Sequence, residues 1–316
     1  MNNTFTQIGK YADIRLDRWF KRTFGVEARK HLLVELLKRL IPEHDFADIH
    51  FAQQEFTNAN PDLKSIRVDI SARDSDGTRV ILEMQMVEQH NYYERIAFNS
   101  SFPVMEQKDR GSMDNDFPSV YMLNFMNFSY HKGSDQVLYR GRFRWDDTNE
   151  AITDRVQLIF LELPNCTKAL TPEATFADNF SYVLRNIGRM TGIPPELEDD
   201  EFFRDLFKSA EIATFTADEN EKYRKDMLDQ ESIYMNQRFY EEKGLEKGFE
   251  LGREEGLEIG REEGLSKGLA RGREEGREEG REKEKLEMAR SLKELGVENS
   301  IICQASGLTA EEVEAL

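Results

Sequence analysis

The sequence SIRVDISARDSDGTRVILEMQ, residues 65–85, decides the fold. Apolar and polar side chains alternate on both sides of residues 74–77, which is the pattern of two half-buried strands joined by a turn. We predict a β-hairpin with strands at residues 65–73 and 78–86. One face of the first strand carries Ile66, Val68, Ile70 and Ala72, and one face of the second carries Val80, Leu82, Met84 and Met86.

The turn decides which residues lie opposite each other. If residues 75–77 form a three-residue loop with Gly77 in the left-handed conformation, Asp74 pairs with Thr78 and Asp69 lies opposite Glu83. A two-residue loop would place the two carboxylates on opposite faces of the sheet. Adjacent carboxylates repel, and proteins usually place a cation or a shared proton between them. The three-residue loop therefore predicts a divalent metal site.

The spacing of Asp69 and Glu83-Met84-Gln85 resembles the Asp…(Asp/Glu)-x-Lys core of PD-(D/E)XK nucleases, in the variant where glutamine replaces the lysine. With residues 92–95 (YYER) on a following helix, it is similar to the Rpn group of recombination-promoting nucleases, also labelled PD-(D/E)XK nuclease family transposases. The resemblance covers roughly residues 17–163. It implies an α/β, restriction-endonuclease-like fold: a mixed sheet flanked by helices, with an αβββαβ core and a helical C-terminal extension.

The resemblance also implies a site. Asp69, Glu83 and Gln85 would be the catalytic residues, and Asp69, Glu83 and the backbone carbonyl of Met84 would hold Mg²⁺ or another divalent cation. A neutral amide at Gln85 can orient water but supplies neither positive charge nor a useful proton acceptor.

Two further residues match the family as auxiliary groups. Glu55 stands where the family has an acidic residue before its catalytic aspartate, and it is either an auxiliary ligand or a solvent-facing glutamate at a strand end. Arg95 matches the family's arginine and could bind Glu83 or a phosphate oxygen, or could form only a surface ion pair.

We expect four segments along the chain: a nuclease-like domain at residues 1–168, a helical cap or arm at 169–240, a charged repeat at 241–282 and a small helical module at 283–316. Within the first, the pattern predicts helices at 27–40 and 88–108 and strands at 45–57, 117–128, 136–145 and 154–163. Residues 58–62 form a turn-rich link. In the last segment Leu286, Ala289, Leu292 and Leu295 line a helix that Gly296 ends, and Thr309 with Glu312 forms a capping box.

Glycine recurs at every fourth position from Gly244 to Gly280. In a helix each step of four advances the glycine by about 40°, so the ten positions trace a stripe that winds about once around the axis. Interior glycines cost on the order of 1 kcal/mol each relative to alanine, so an isolated helix is marginal. The repeat is either a self-association helix that makes a homo-oligomer or a solvated spacer.

Composition restricts the class of protein. No apolar run approaches the roughly 20 residues that cross a bilayer, and the first residues lack a signal-peptide pattern, so we expect a cytoplasmic protein with no membrane partner. The net charge of −18 counts against a simple nucleic-acid binder. Residues 1–188, however, carry 23 Lys and Arg against 27 Asp and Glu, which is close to neutral.

Other charged residues carry weaker signals. The basic and aromatic cluster at residues 15–24, which includes Lys21, is either a solvated face or a grip on a phosphate backbone. The histidines are spaced unlike zinc ligands, so we expect ordinary positions for all of them: His31, His44, His50, His90 and His131.

Two functions from different classes remain. The first is a Mg²⁺-dependent DNA endonuclease that hydrolyses phosphodiester bonds, in recombination or mobile-element transfer. The second is a catalytically weak or inactive nuclease fold that acts as an oligomeric DNA-binding or regulatory module. Metal-dependent plasmid cleavage distinguishes them.

Overall fold

A computed structural model describes residues 9–56, 65–106 and 117–316. The predicted link at 58–62 lies outside the described residues, as do the last two residues of the predicted helix 88–108. The strands are β1 Ile49–Phe51, β2 Glu55–Phe56, β3 Ile66–Arg67, β4 Ile70–Asp74, β5 Arg79–Gln85, β6 Val120–Met126, β7 Leu138–Arg144 and β8 Ala151–Glu162. The α-helices are α1 Asp17–Phe24, α2 Lys30–Leu40, α3 Tyr92–Met105, α4 Phe176–Asn186, α5 Glu201–Ala210, α6 Ala217–Glu294, α7 Asn299–Ser306 and α8 Ala310–Glu314.

Six strands form one mixed sheet in the order β1-β4-β5-β6-β8-β7. Strands β5, β6 and β8 run parallel, and the other neighbours are antiparallel. The central strand β6 is buried along its whole length, as its nearly continuous apolar sequence predicts. The succession α2-β1-β4-β5-α3-β6 is the predicted αβββαβ core, and it confirms the restriction-endonuclease-like fold.

Each face of the sheet has its own hydrophobic core. Helices α1, α2, α4 and α5 cover one face, and α3 covers the other. Helix α2 buries its predicted stripe, Leu32, Leu33, Leu36, Leu37 and Leu40, because these residues recur at helical spacing. Because β5, β6 and β8 run in the same direction, their C-terminal ends lie at one edge of the sheet.

The first hairpin strand differs from the prediction. Ile66 and Val68 pack in the core under α3, whereas Ile70 and Ala72 pack in the core on the opposite face. The single-face assignment was wrong because the N–H of Val68 donates to the carbonyl of Gln54 (2.8 Å) and β3 pairs with β2 in a separate two-stranded sheet. The predicted strand 45–57 is likewise divided into β1 and β2.

The chain divides into two compact units, Met1–Ile233 and Tyr234–Leu316. In the second, Ala289, Ile302 and Val313 form a small core with the end of α6, α7 and α8, and the predicted capping box of Thr309 and Glu312 begins α8. Leu295, predicted to line this core, is 78% exposed, because α6 has already ended and Gly296 adopts a φ of +76°. In the described part of the chain, no helix has both the length and the apolar character that crossing a membrane requires.

Candidate metal centre

The turn between β4 and β5 is the three-residue loop on which the site prediction depends. Gly77 has a φ of +89°, the left-handed region that glycine enters without strain. The N–H of Asp74 donates to the carbonyl of Thr78 (2.8 Å), and Ile70 pairs with Leu82. The predicted pairing of Asp74 with Thr78 is therefore confirmed, and the register holds as far as Ile70 and Leu82.

Two carboxylates lie close together at this end of the hairpin. The paired residues of β4 end at Ile70, and Asp69 precedes them in a bend. Asp69 Oδ2 accepts the N–H of Met84, the residue that follows Glu83. After burial, the charge of Asp69 is the next cause of the raised pKa of Glu83, so the two carboxylates are near neighbours.

Backbone and side-chain donors hold the carboxylate of Asp69. The N–H of Met84 donates to Asp69 Oδ2 (2.8 Å), and Lys21 Nζ on α1 lies 3.0 Å from Asp69 Oδ1. The same ammonium group lies 2.5 Å from Asp17 Oδ1. Burial raises the pKa of Asp69, and these donors offset that rise only in part.

The carboxyl group of Glu83 is less well satisfied. Its Oε1 atom is buried and has no hydrogen-bond partner among the described residues. Burial, and then the charge of Asp69, raise the pKa of Glu83 to about 8. A buried carboxylate oxygen without a partner, next to a second carboxylate, destabilises the folded protein. A divalent cation that prefers oxygen ligands would bind both carboxylates and remove this cost. The donor set therefore fits the metal that the sequence implies.

The backbone at Met84 supports the same site. In antiparallel pairing, Met84 would exchange hydrogen bonds with Val68, but the N–H of Val68 is directed to Gln54 instead. Asp69 takes the N–H of Met84. In an extended strand the N–H and C=O of one residue point to the same side, so the carbonyl of Met84 faces the side of Asp69.

Gln85 and Arg95 form a pair of their own. Arg95 Nη2 on α3 donates to Gln85 Oε1 (2.8 Å), and Gln85 Nε2 donates to the carbonyl of Val87 (3.0 Å). Both ends of the Gln85 amide are thus engaged. Among the described residues, the hydrogen bond of Arg95 Nη2 goes to Gln85 and not to Glu83. The positive charge of Arg95 nevertheless offsets part of the rise in the pKa of Glu83.

Glu55 lies at the surface, in the small sheet, where it is opposite Arg67. Its auxiliary role stays a prediction, and its exposed position is that of the solvent-facing alternative.

Sequence reasoning missed Lys21 as a member of the site, since it is separated from Asp69 by 48 positions and only the packing of α1 brings it there. An open cleft of about 400 Å³ adjoins Lys21. Basic, acidic and uncharged side chains all line this cleft. Its lining residues are Leu16, Asp17, Arg18, Lys21, Arg67, Asp226, Asp229, Gln230 and Ile233.

A second group of metal-ligating side chains lies at the opposite end of the hairpin. His44 Nε2 is 2.9 Å from Asp74 Oδ2 and 3.9 Å from Asp76 Oδ2. These three residues offer ligand atoms within 4.8 Å of one another. Sequence spacing gives no sign of this cluster, because His44 precedes Asp74 by 30 residues. Asp74 also accepts the N–H of Ser75 (2.7 Å), so part of the cluster is explained by the turn itself.

A six-stranded mixed sheet that presents an acidic hairpin pair at the edge where its parallel strands end defines a nuclease-like domain of the restriction-endonuclease class. The family model of PD-(D/E)XK nuclease family transposases matches residues 14–235, and the chain belongs to that family. Comparison with curated proteins and with solved structures gave no match.

The pKa of Glu83 makes the stability of the metal-free protein depend on pH. In the unfolded chain this carboxyl ionises near 4.5, and in the folded protein near 8, so its contribution to the free energy of unfolding falls between these values. Glu83→Gln cannot ionise. In EDTA, we expect this variant to gain stability over the wild type as pH rises from 5 to 8, by up to about 1 kcal/mol per pH unit.

Thermal unfolding at several pH values measures this difference. Glu88→Gln, which changes an exposed carboxylate next to the hairpin, should show no such trend. A difference between Glu83→Gln and wild type that stays constant from pH 5 to 8 would contradict the assignment.

Proposed function

We propose that this protein is a metal-dependent DNA endonuclease that hydrolyses phosphodiester bonds. The observation that carries the proposal is the buried Oε1 atom of Glu83, which has no hydrogen-bond partner in the described part of the chain and belongs to the residue before Met84, whose N–H holds Asp69. Membership of a nuclease family gives this pair its chemical context.

Asp69, Glu83 and the carbonyl of Met84 would hold the cation, for which we propose Mg²⁺ because all three ligand atoms are hard oxygens. When bound, a divalent cation polarises the scissile phosphate and lowers the pKa of an attacking water. Asp69 is oriented for this task by the N–H of Met84, which fixes one of its oxygens.

Lys21 takes the place of the lysine that the motif lacks. Its ammonium group lies 3.0 Å from Asp69 Oδ1, so a phosphate brought to the acidic pair would meet a positive charge from α1 rather than from β5. Gln85, engaged by Arg95 and by the carbonyl of Val87, holds the end of β5 against α3. A lysine supplied by another element in this way can stabilise charge that develops on the phosphoryl oxygens.

DNA is the proposed partner, and the cleft beside Lys21 is the proposed approach to the site. Arg18, Lys21 and Arg67 supply positive charge along it, while its aspartates limit non-specific attraction. The family description names transposases and so favours a role in recombination or mobile-element transfer, and we propose a cytoplasmic location.

Supercoiled plasmid incubated with the purified protein tests the proposal. We expect nicked or linear product with Mg²⁺ and none with EDTA. A nuclease-free preparation that never cuts, with any of several divalent cations, would contradict it.

The alternative is a DNA-binding module with little or no catalysis. The amide of Gln85 favours it, because both ends of the amide are already hydrogen-bonded to other groups of the protein and are therefore less available to orient a water that attacks the phosphate. In that case the protein binds DNA without cutting, and the binding survives removal of the metal.

Self-association through α6 is the second part of the proposal. From residue 244 onward, a Cβ added at any of the ten regularly spaced glycines would meet open space. The helix also exposes large apolar side chains, at Leu245, Phe249, Leu251, Leu257, Ile259, Leu265 and Leu269. A single glycine-rich helix that leaves these in water is marginal, and a second copy of the same helix would cover both features.

Removal of residues 243–316 is therefore expected to lower the particle mass in solution to that of the monomer. Light scattering after size exclusion measures the mass. The paired change Leu257→Gln and Leu265→Gln should have the same effect, whereas Glu263→Gln, on the same helix, should not. An unchanged mass after truncation would reject self-association by this segment.

A further inference from the structure

Glu162, at the end of β8, is a fully buried carboxylate. It accepts hydrogen bonds from Ser129 Oγ (2.6 Å), the N–H of His131 (3.2 Å), His131 Nδ1 (2.7 Å) and Asn165 Nδ2 (3.0 Å). Burial opposes ionisation, yet these donors hold the pKa of Glu162 below its usual value. A buried charge costs several kcal/mol unless it is fully compensated, and here four donors compensate it.

The carboxylate fixes the ring of His131. Because Nδ1 faces Glu162, that nitrogen carries the hydrogen, and the ring stacks on Tyr139 with centroids 4.0 Å apart. The side chain of His131 is nevertheless 47% exposed. Among the described residues, Nδ1 is engaged by Glu162 and one face of the ring by Tyr139, so Nε2 is the ring nitrogen that remains for a ligand.

This ring lies at the same edge of the sheet as the acidic pair. Glu162 is in register with Met126 on β6, and Met126 is in register with Gln85 on β5. Glu162 therefore stands two strands from Gln85, which is about 10 Å in a β-sheet.

The two sites also share a face. Phe160 and Ile81 both pack in the core under α3, and two residues further along their strands Glu162 and Glu83 point to that same face. Tyr93 on α3 packs beside the His131 site, with its ring centroid 5.2 Å from that of Phe160 and 4.7 Å from that of Tyr130.

We infer that His131, oriented by Glu162, contacts a backbone phosphate of the DNA strand next to the phosphate held at the acidic pair. This inference rests on the proposed nuclease function and adds a binding residue to it. The exposed Lys132 follows His131 and places a positive charge beside the ring. Contact with an anionic phosphate requires a donor at Nε2, so the bound ring is the imidazolium, in which Nδ1–H donates to Glu162 and Nε2–H donates to a phosphate oxygen in a fixed direction.

Two amide substitutions separate this role from a structural one. His131→Asn places an amide nitrogen near the position of Nδ1, which keeps the contact with Glu162 and removes Nε2. His131→Gln reaches the position of Nε2 and gives up the contact at Nδ1. If the histidine only anchors its loop, His131→Asn should behave as wild type and His131→Gln should unfold at a lower temperature.

The test measures binding of a fluorescent DNA duplex at several salt concentrations, with Ca²⁺ in place of Mg²⁺ to prevent cleavage. We expect His131→Asn to keep the thermal stability of wild type and to bind roughly tenfold more weakly, the effect of one hydrogen bond to a charged group. The slope of the logarithm of its affinity against the logarithm of the salt concentration should decrease by about 1, the value for one phosphate contact. His50→Ala, which removes an exposed histidine beside Asp48, is the matched control and should bind as wild type.

Wild-type affinity and an unchanged salt dependence in His131→Asn would overturn the inference and leave the nuclease proposal intact if the wild type still cuts. A wild type that neither binds nor cuts DNA would overturn both.

Discussion

Asp69→Ala is expected to lower metal-dependent DNA cleavage by at least about 100-fold. The variant loses a proposed metal ligand and leaves Glu83 without the second carboxylate that would help it to hold a divalent cation. Metal catalysis contributes several kcal/mol of charge stabilisation in the transition state, and about 3 kcal/mol corresponds to 100-fold in rate. Initial rates of plasmid nicking under saturating Mg²⁺ measure the effect.

Asp76→Ala is the control for this experiment. It removes an acidic residue from the same hairpin, at the end where His44 and Asp74 form the second cluster. We expect it to cut at close to the wild-type rate. Equal rates for Asp69→Ala and wild type, or a loss of activity confined to Asp76→Ala, would show that the catalytic metal does not bind at Asp69 and Glu83.

Lys21→Met is expected to separate metal binding from turnover. The ammonium group repels any cation at Asp69, so its removal should tighten binding of Mn²⁺. The same change removes positive charge from the phosphate and should lower kcat by about 100-fold, comparable to the loss of one preorganised donor. Isothermal titration and cleavage kinetics measure the two effects.

Lys30→Met removes another lysine that binds two carboxylates, Glu27 and Asp48, at a distance from the site. It should leave metal affinity and kcat unchanged. A Lys21→Met variant that binds metal more weakly and turns over normally would show that the lysine organises Asp69 and does not act on the phosphate.

The sequence predicts the acidic hairpin because its determinants are local. Glycine at position 77 selects the three-residue loop, and the loop sets the register of the hairpin up to Ile70 and Leu82, the neighbours of Asp69 and Glu83. The burial of α2 and β6 is equally local, since it follows from the spacing of apolar residues within each element. The family resemblance rests on these same residues.

The features that the sequence does not predict depend on long-range packing. Lys21 joins the site only because α1 packs against the sheet, and the pair of His131 and Glu162 forms across 31 positions. The interruption of the first hairpin strand has the same origin, because the backbone of Val68 finds its partner in Gln54 rather than on β5. Alternation of apolar residues does not encode these contacts.

The central claim is that Asp69 and Glu83 share one divalent cation, and anomalous diffraction from crystals soaked in Mn²⁺ tests it most directly. We predict an anomalous peak within coordination distance of both carboxylates and of the carbonyl of Met84, and its loss in Asp69→Ala. A peak only beside His44, Asp74 and Asp76, or none at the pair while the wild type still cuts DNA, would contradict the account.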